Sequence, residues 1–442
     1  MAPQVVVVGG GGAGIATAWH LVRLGAQVTL VEAEERLGGN CARVMVPDDR
    51  DREWPLDMGV SDFNSSTFHE FGAFLEDMGL SSRPINEDAT ALYRDGSVAW
   101  SQCGGRFHMA GTTGGDGCIQ TEIRRFVLQA PGVLDAPPQT LGEYLDRNGH
   151  SDLFARLHAL PRASACIVMP DGDPRDFDMA ALVRFWLQHG LVGTVPRRRR
   201  HLPGGMWTYC DRFHDWFRAR GGEVLCGTRV HRIQRGSASV SLGLYGAGGC
   251  RELSADHVVL AVDASHVARL LPDVEAEERC ALSSLGWASA DVVVHRDRRL
   301  LAIDPRFWAA YNFYASRPGE TMAGPRITFY PHRLAAARAP GVLVSVNPPV
   351  EPRASLIIDQ RRMVHPVAAH RRRFDALQGR RRTWFAGSYL IPPHLHEQAF
   401  ESGHRVAEEL MASIRWRTKE VIPGTHHAVA RVSSRTVSPC PA

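Results

Sequence analysis

At 442 residues the chain is long enough to form two domains, each with its own hydrophobic core. Hydrophobic residues make up 44% of it and charged residues 22%, an ordinary composition for a globular protein. The net charge of +4 is small for this length and argues against a dedicated nucleic-acid-binding protein. Nine cysteines are scattered without a C-x-x-C pair, so they predict neither a zinc site, a redox disulfide nor a secreted disulfide framework.

The expected compartment follows from stretches that the sequence lacks. The first predicted strand begins within a few residues of Met1, which leaves no room there for a signal peptide. No apolar run reaches the roughly 20 residues that a transmembrane helix needs. We therefore expect a cytoplasmic location in which the thiols stay reduced.

The first element is a run of four valines, residues 5–8, which predicts a buried parallel strand. Gly9, Gly11 and Gly14 follow with the spacing G-x-G-x-x-G, and the apolar spacing after them predicts a helix over residues 15–24. The first glycine permits a tight turn, the second lets backbone approach a pyrophosphate, and the third allows close packing of helix on strand. The start of the helix offers unpaired N–H groups and a positive dipole end to phosphates. The turn is therefore predicted to bind a dinucleotide.

Residues 27–31 predict a second short strand, and Glu32 stands at its end. A carboxylate at this position accepts hydrogen bonds from a ribose 2′-OH, which favours an adenosine without a 2′-phosphate. These two elements by themselves are as compatible with NAD as with FAD.

The next glycine pair makes the pattern more specific. Arg36, Gly38 and Gly39 follow Glu32 with the spacing R-x-G-G, and the combined series resembles the two-part FAD signature of the flavin amine oxidase and phytoene desaturase superfamily. This resemblance implies that the glycine pair approaches the diphosphate or ribityl chain and that Arg36 lies near the phosphates. The basic residue that usually follows the glycine pair is absent, and either Arg43 supplies that charge or the contact is lost.

Residues 54–60 resemble the next landmark of the superfamily, a short strand that ends in Asp-x-Gly, where the chain passes beside the isoalloxazine. Gly59 and Val60 would lie at that point. The segments that follow predict a helix, a hairpin and two further helices, over residues 66–78, 89–107, 119–128 and 140–157. In the superfamily such inserted segments build the substrate domain.

Residues 178–191 predict a helix, and Gly190 is a natural C-terminal stop for it. His189 lies near its otherwise apolar stripe. Two interpretations stay open: a structural histidine with satisfied hydrogen bonds, or a side chain that lines the flavin pocket, where its tunable pKa would serve a purpose.

A dense basic run occupies residues 196–201. If this run were an exposed patch, it would attract an anionic substrate, a carrier protein or a membrane surface. The alternative is a set of solvated loops in a chain whose basic residues are nearly all arginine, since Lys419 is its only lysine.

Further FAD landmarks of the superfamily come later in the chain. Residues 202–207 resemble the Gly-Gly step at which its members re-enter the FAD domain. The strand over residues 228–233 resembles the one whose valine, here Val230, offers backbone atoms to adenine. The buried strand over residues 256–262 resembles the one that carries the chain, at Ala261, past the FAD.

A strand that ends in Gly387, a loop, and a helix with Ser402 near its start resemble the C-terminal FAD motif of the superfamily. The start of that helix would point its positive end at the flavin N1 and C2=O groups. Ser388 stands where the family often has an acid. His394 and His396 have a spacing compatible with a metal, but no third ligand is evident, so we predict no metal site.

The resemblance assigns the cofactor FAD to a set of positions spread over most of the chain. The predicted FAD-binding residues are Gly9, Gly11, Gly12, Ala13, Gly14, Glu32, Ala33, Arg36, Gly38, Gly39, Gly59, Val60, Val230, Ala261, Gly387, Ser388 and Ser402. The predicted catalytic residues near the ring are His189, Tyr389, His396 and Glu397.

These landmarks predict an α/β fold, a Rossmann-like FAD-binding domain of the glutathione-reductase type with an inserted mixed α+β substrate domain. The FAD-binding domain is expected to be discontinuous, over residues 1–65, 202–270 and 376–414. The substrate domain would take residues 66–201 and 271–375, and residues 415–442 would form a C-terminal tail. The order of the landmarks is most similar to that of bacterial amine-oxidase-like flavoproteins related to the N-terminal domains of plant cyclopropane fatty-acid synthases.

Missing motifs narrow the expected chemistry. A second strand–G-x-G-x-x-G–helix unit is absent, which argues against a dedicated NAD(P)H domain. The Gly-Asp motif of single-component aromatic hydroxylases is also absent. Many amine oxidases of the superfamily use a lysine that holds water at flavin N5, and Lys419, near the end of the chain, is a poor candidate for that part.

The leading hypothesis is an FAD-dependent oxidoreductase, a dehydrogenase or desaturase that transfers hydride from an apolar unsaturated or acyl-type substrate to flavin N5. The alternatives are an FAD-dependent double-bond isomerase without net redox change, an amine oxidase, and a flavin-bearing binding protein without catalysis. The expected partner is a small-molecule or acyl-type substrate, free or carrier-bound; no nucleic acid is expected, and the oligomeric state stays open.

Overall fold

The computed structural model describes residues 2–420, except residues 42, 49, 110–115, 167–168, 170–171, 321–325 and 369–370. At residues 116–118, 367–368, 371 and 415–420 it describes the backbone alone. None of the helices in this described part has both the length and the apolar composition needed to cross a bilayer.

The strands alternate with helices at both ends of the chain and cluster in its middle. The strands are β1 (Gln4–Val8), β2 (Gln27–Val31), β3 (Arg43–Pro47), β4 (Glu53–Asp57), β5 (Phe63–Asn64), β6 (Arg83–Pro84), β7 (Ala89–Leu92), β8 (Val98–Cys103), β9 (Arg106–Met109), β10 (Arg199–His201), β11 (Glu223–Leu225), β12 (Arg229–Arg235), β13 (Val240–Gly246), β14 (Gly249–Ala255), β15 (His257–Leu260), β16 (Gly286–His295), β17 (Tyr311–Tyr314), β18 (Ile327–Phe329), β19 (Leu343–Val346), β20 (Ile357–Ala368) and β21 (Thr383–Phe385). The α-helices are α1 (Gly12–Arg23), α2 (His69–Asp77), α3 (Asp116–Gln129), α4 (Leu141–Arg147), α5 (Asp152–Phe154), α6 (Leu160–Ser164), α7 (Met179–Gln188), α8 (Thr208–Ala219), α9 (Ala264–Leu270), α10 (Ala276–Ser283), α11 (Pro331–Ala335), α12 (Arg371–Asp375) and α13 (His396–Glu420).

The first layer is a five-stranded parallel sheet in the order β11-β2-β1-β15-β21. The four valines of β1 are buried because helices or strands cover both faces of its central position. Helices α1 and α13 pack so closely that a Cβ on Gly403 would stand 2.6 Å from the Ala13 carbonyl oxygen. The antiparallel sheet β12-β13-β14 packs on the same core. The predicted Rossmann-like fold is confirmed.

The second layer is an eight-stranded mixed sheet in the order β20-β16-β19-β18-β17-β7-β8-β9. Its strands pair antiparallel except β17 and β7, which run parallel. Helices α3 to α7 and a π-helical turn, Ala155–Ala159, cover it, and Trp100, Phe126 and Trp186 lie in the shared core. The predicted hairpin is β7 and β8, which turn at Gly96 with a positive φ of 81°. The inserted domain is therefore of the predicted mixed α+β kind.

The predicted domain boundaries stay predictions, and the packing of three helices bears on them. Helix α2 was assigned to the substrate domain, but Phe71, Phe74 and Leu75 pack into the same core as β1 and α13, because their spacing of three and four residues forms one apolar face. Helix α10 likewise packs with the FAD-type domain. Helix α13 continues to Glu420, so the predicted tail begins later than residue 415, and residues 421–442 lie outside the described residues.

Candidate active site

The glycine-rich turn after β1 is closed by contacts that only glycine permits. Gly9 has a φ of +104°, and a Cβ there would stand 2.5 Å from the carbonyl oxygen of Ala261. A Cβ on Gly14 would overlap the carbonyl oxygen of Gly9. These two glycines and Ala261 therefore hold β1, α1 and the end of β15 together.

The middle glycine of the turn is different, because it faces open space. A Cβ on Gly11 would meet no atom nearer than the Gly39 Cα, at 3.9 Å. The Gly38 N–H donates to the Gly10 carbonyl at 2.9 Å, and Gly39 has a φ of +54°. The glycine-rich turn after β1 and the pair Gly38 and Gly39 thus form one backbone-lined cradle. In this cradle the N–H groups at the start of α1 are available to phosphate oxygens.

Glu32 closes one side of this cradle. Its carboxylate accepts the Gly10 N–H at 2.6 Å and the Glu34 N–H at 2.8 Å. The Thr228 N–H donates to the Glu32 carbonyl at 2.9 Å, which brings β12 and its buried Val230 to the same place. Ala33 and Arg36 are exposed on the segment between Glu32 and the second glycine pair.

Helix α13 begins against the cradle. The His396 imidazole packs on Gly12, where a Cβ would stand 3.1 Å from its Cε1 atom. The starts of α1 and α13 therefore lie side by side, and both present the positive ends of their dipoles. The Gly387 N–H donates to the buried Ser402 Oγ at 3.0 Å. The Ser388 carbonyl oxygen lies 3.0 Å from His394 Nδ1, so Ser388 is bound to the loop before the helix.

Gly59 joins the cradle to the second layer. A Cβ on Gly59 would overlap the carbonyl oxygen of Asn40, and the Val60 N–H donates to that oxygen at 3.2 Å. The Met363 Cε atom of β20 would lie 3.0 Å from the same Cβ. The structure thus brings predicted cofactor positions together from six separated stretches of the chain.

The residues present fit an FAD. The cradle has room at Gly11, positive helix ends on two sides and a carboxylate at the end of β2, which are the features that a dinucleotide with an unphosphorylated ribose requires. His396 adds a buried Nε2 atom with no hydrogen-bond partner among the described residues. Its pKa falls to about 3 because it is buried, so it is a neutral imidazole beside the cradle.

A large cavity of about 890 Å³ lies between this cradle and the mixed sheet. Gly59 at the end of β4 and the turn at Gly204 and Gly205 form one wall, and strands β16, β18, β19 and β20 form the other. Its apolar lining side chains are Trp54, Met58, Trp207, Val292, Phe329, Val344, Val346 and Met363. The volume is within the range of small-molecule sites, roughly 300–1,000 Å³.

The large cavity is lined by more positively charged than negatively charged side chains. Arg83, Arg333 and Arg338 line it and are exposed at its rim, and Arg338 lies 4.6 Å from the Trp54 ring centre. The one carboxylate among its lining residues is Asp57.

The Asp57 carboxylate already accepts a hydrogen bond from the backbone. Both of its oxygens accept the Met206 N–H at 2.9 Å, so it caps the start of α8. Burial raises its pKa to about 7. This carboxylate is thus unsuited to pair with a cationic substrate.

His201 is a second titratable group of the large cavity. Its Nδ1 lies 3.1 Å from the Leu202 carbonyl oxygen, which assigns the proton to Nδ1 and leaves Nε2 as the acceptor. Burial lowers the pKa of this imidazole below its ordinary value, so it is neutral at pH 7.

His189 lies at the end of α7, as predicted, and Gly190 follows with a φ of +64°. Its Nδ1 atom is buried without a hydrogen-bond partner among the described residues. Asp62 and Arg199 face it, and Arg199 Nε donates to Asp62 at 2.9 Å while the Tyr311 hydroxyl donates at 3.1 Å. Burial and the arginine lower the pKa of His189 to about 3. It is a neutral group beside a buried ion pair.

Residues 199–201 of the basic run form strand β10, and three arginines of the run have side-chain partners. Arg197 pairs with Glu87, Arg199 with Asp62, and Arg200 donates to the Ser82 hydroxyl at 2.7 Å. Arg197 stays exposed, but the interpretation as solvated loops is wrong for the half-buried Arg199 and Arg200, because residues of distant segments bind their side chains.

Two predicted catalytic residues have structural contacts instead. Glu397 is buried and accepts the Glu70 and Phe71 N–H groups at 2.7 and 3.1 Å, so it caps the start of α2. Tyr389 is buried in the core beside β21, with its ring 5.5 Å from that of Phe374. The structure does not bring the four predicted residues to one point, because Tyr389 and His396 pack in different cores.

Sequence reasoning missed Asp62, Tyr311, His201 and the cavity arginines as site residues. No motif marks them, and single arginines carry little signal in a chain whose basic residues are almost all arginine. One signal was available for Asp62. It follows Ser61, which lines the large cavity two residues after the predicted FAD residue Gly59.

The family model described as flavin containing amine oxidoreductase matches residues 13–346. Among solved structures, a fatty acid isomerase from P. acnes that produces CLA superposes with a TM-score of 0.66 at 14% identity, over 92% of this chain and 98% of that one. A putative protoporphyrinogen oxidase from Exiguobacterium sp. 255-15 gives 0.61 at 17% identity, over 93% and 99%. Cyclohexylamine oxidase from Brevibacterium oxydans IH-35A gives 0.59 at 15% identity, over 94% and 100%. No curated protein matches the sequence.

Proposed function

Because the chain belongs to the family of flavin-containing amine oxidoreductases, we propose that it is a dehydrogenase or desaturase of apolar acyl-type substrates that carry an anionic group. It is an FAD-dependent oxidoreductase, and the proposal concerns its substrate and reaction. The observation that carries it is the charge of the large cavity, in which Arg83, Arg333 and Arg338 accompany one capped carboxylate, Asp57.

This charge pattern argues against an ammonium substrate. A cation next to three guanidinium groups is repelled, and Asp57 has both oxygens on the start of α8. An acyl chain that ends in a carboxylate, or in the phosphate of a carrier group, would place its apolar part on the mixed sheet and its anionic end among the arginines.

Bound FAD would supply the acceptor for a hydride from a substrate carbon. The predicted FAD residues of the cradle, from Gly9 to Ser402, would hold it, and the apolar walls of the cavity would keep water from the reacting carbons. Formation of a double bond also removes a proton from the neighbouring carbon. We assign its acceptor to His201 Nε2, a neutral nitrogen in the same cavity.

Anaerobic bleaching of the bound flavin tests the proposal. Substrates are offered in matched pairs, such as oleate with oleylamine and octanoyl-CoA with octylamine. We expect the anionic member alone to bleach the visible flavin absorbance, and its product to gain a double bond. Bleaching by the amines alone would overturn the proposal in favour of amine oxidation. Conversion of a polyene without any net bleaching would overturn it in favour of isomerisation.

We also propose a reducing compartment, such as the cytoplasm, as the place of action. The seven cysteines among the described residues are all free thiols, and Cys41 and Cys210 are buried around the Tyr209 ring. Burial raises the pKa of the Cys41 thiol to about 12, so it behaves as a small apolar side chain.

A further inference from the structure

A second, smaller cavity of about 380 Å³ lies inside the substrate domain. Strand β8, helix α3, helix α6 and the end of α7 enclose it. Its lining residues and those of the large cavity have no member in common, so the two are separate sites.

Arg162 of helix α6 lines this small cavity together with two other arginines, Arg124 and Arg197, of which Arg197 pairs with Glu87. Its Nε atom is buried and has no hydrogen-bond partner among the described residues. No carboxylate among these residues forms an ion pair with it. The residue as a whole is half-buried, and it is one of the residues that line the cavity.

The charged groups nearest to Arg162 do not neutralise its positive charge. Arg197 and Arg199 are its closest charged neighbours, and each already has its own acid, Glu87 and Asp62. Burial and these two arginines lower the pKa of Arg162 to about 9, which leaves it charged at neutral pH. One buried positive charge therefore stays without a counter-charge, an arrangement that costs free energy unless an anion binds.

The rest of the small cavity is mostly apolar. Trp100, Phe107, Phe126 and Trp186 line it together with aliphatic side chains of α3 and the α7 end. His158 also lines it, and its burial lowers its pKa well below the ordinary value, so it is a neutral hydrogen-bonding group. Such walls disfavour a strongly hydrated dianion such as phosphate or sulfate.

We propose that this small cavity binds a monocarboxylate with an apolar or aromatic body. The carboxylate oxygens would accept hydrogen bonds from the Arg162 guanidinium, whose planar fork matches a carboxylate. The body would lie against Trp100, Phe126 and Trp186. The site is independent of the proposed reaction in the large cavity.

Isothermal titration of the FAD-loaded protein with octanoate, phenylacetate, octanamide and octylamine tests this site. We expect saturable carboxylate binding that depends on Arg162 and is separate from any binding at the large cavity, and no comparable Arg162-dependent binding of the amide or the amine. Arg162→Met should weaken carboxylate binding by roughly tenfold or more, because it removes a charged hydrogen bond. Arg162→Lys should retain part of it.

Two further variants locate the binding. Arg306→Met removes an exposed arginine that pairs with Asp304 and lines neither cavity, and it should leave the affinity unchanged. Arg338→Met, in the large cavity, should weaken only the binding at that cavity and leave the Arg162-dependent binding unchanged. Loss of binding in Arg338→Met but not in Arg162→Met would place the carboxylate in the large cavity and overturn the proposal.

Thermal unfolding without ligand gives an independent readout. Removal of an uncompensated buried charge should leave the melting temperature of Arg162→Met equal to or above that of the wild type. Octanoate should raise the melting temperature of the wild type more than that of the variant. A marked loss of stability in Arg162→Met, together with no carboxylate binding to the wild type, would show that Arg162 is a structural residue and overturn the proposal.

Discussion

Asp62 and Arg199 form a buried ion pair between the loop after β4 and strand β10, with the Tyr311 hydroxyl as a third partner. A buried pair contributes little relative to apolar side chains, but loss of one partner strands the other charge. The neighbouring His189 stays neutral and cannot substitute for Asp62 as a counter-charge.

We expect Asp62→Asn to lower the free energy of unfolding by about 3–5 kcal/mol in urea titrations, because Arg199 would keep an uncompensated charge. Asp304→Asn breaks the exposed pair with Arg306 and should cost much less, because solvent screens that pair. The paired Asp62 has a lowered pKa. Its contribution is therefore present above the unfolded pKa and is lost as the pH falls through the lower folded value. Equal losses in both variants would contradict this view.

His201 is expected to act through its neutral form. His201→Gln should lower kcat by about 100-fold or more while flavin content stays the same, because a proton acceptor is lost. His231→Gln, on the exposed side of β12, is the matched control. The pKa of His201 is lowered, so kcat/KM of the wild type should stay level at neutral pH and fall only in acid, below the ordinary histidine value. An acid limb that persists in His201→Gln would assign that limb to another group.

At the scale of elements, the turn between β1 and α1 contains glycines with two different roles, one in packing and one in leaving space for the cofactor. Gly14 is required by packing, since any Cβ would overlap the Gly9 carbonyl oxygen, whereas Gly11 borders open space in the cradle. The same motif therefore contains one position needed for folding and one needed for the cofactor.

Gly11→Val should yield a folded protein that lacks the yellow flavin absorbance, because the side chain enters the space of the pyrophosphate. Gly14→Ala should yield little folded protein, because helix and strand can no longer meet. Circular dichroism and the visible spectrum of both purified variants distinguish the two outcomes. Stoichiometric FAD in Gly11→Val would disprove the placement of the pyrophosphate in this cradle.

The start of α2 depends on an acid from another helix. Glu397 accepts two of its N–H groups, and burial raises the pKa of Glu397 to about 7. The neutral acid is thus favoured in the folded state, and its stabilising contribution is lost as the pH rises through the folded value.

The free energy of unfolding of the wild type should therefore decline between about pH 4.5 and pH 7 relative to that of Glu397→Gln. Urea titrations at several pH values measure this difference. Glu401→Gln, on the exposed face of the same helix, should leave the pH profile of the wild type unchanged. A profile of Glu397→Gln that is parallel to the wild type would mean that Glu397 is charged when folded.

At the scale of the whole molecule, the cradle joins the two layers. Gly59 contacts Asn40 on one side and Met363 of the mixed sheet on the other. A bound FAD would therefore couple elements from both ends and the middle of the chain.

Removal of FAD should lower the melting temperature of both layers together. A ligand present at about 100 times its Kd adds about 2.7 kcal/mol to the folded state. Differential scanning calorimetry of the apoprotein, with and without added FAD, measures the shift. If FAD stabilised only a part of the molecule, the holoprotein would show two separate transitions, and the cradle would not couple the layers.

The sequence by itself determined the Rossmann-like fold and the identity of the cofactor. Four valines, three spaced glycines and an acid at a strand end are local patterns, and each depends only on neighbours in the chain. The R-x-G-G pair after Glu32 and the C-terminal motif then favoured FAD over NAD. These features were predictable because short-range geometry dictates them.

The tertiary structure decided which side chains face the substrate. Glu397 and Tyr389 follow the C-terminal motif, yet Glu397 caps a distant helix and Tyr389 fills a core. His201 and Arg338 carry no motif, and only the tertiary packing of β10 and of the segment after α11 places them at the large cavity. Charge pairing between segments more than a hundred residues apart depends on the folded arrangement, so local sequence patterns contain no record of it.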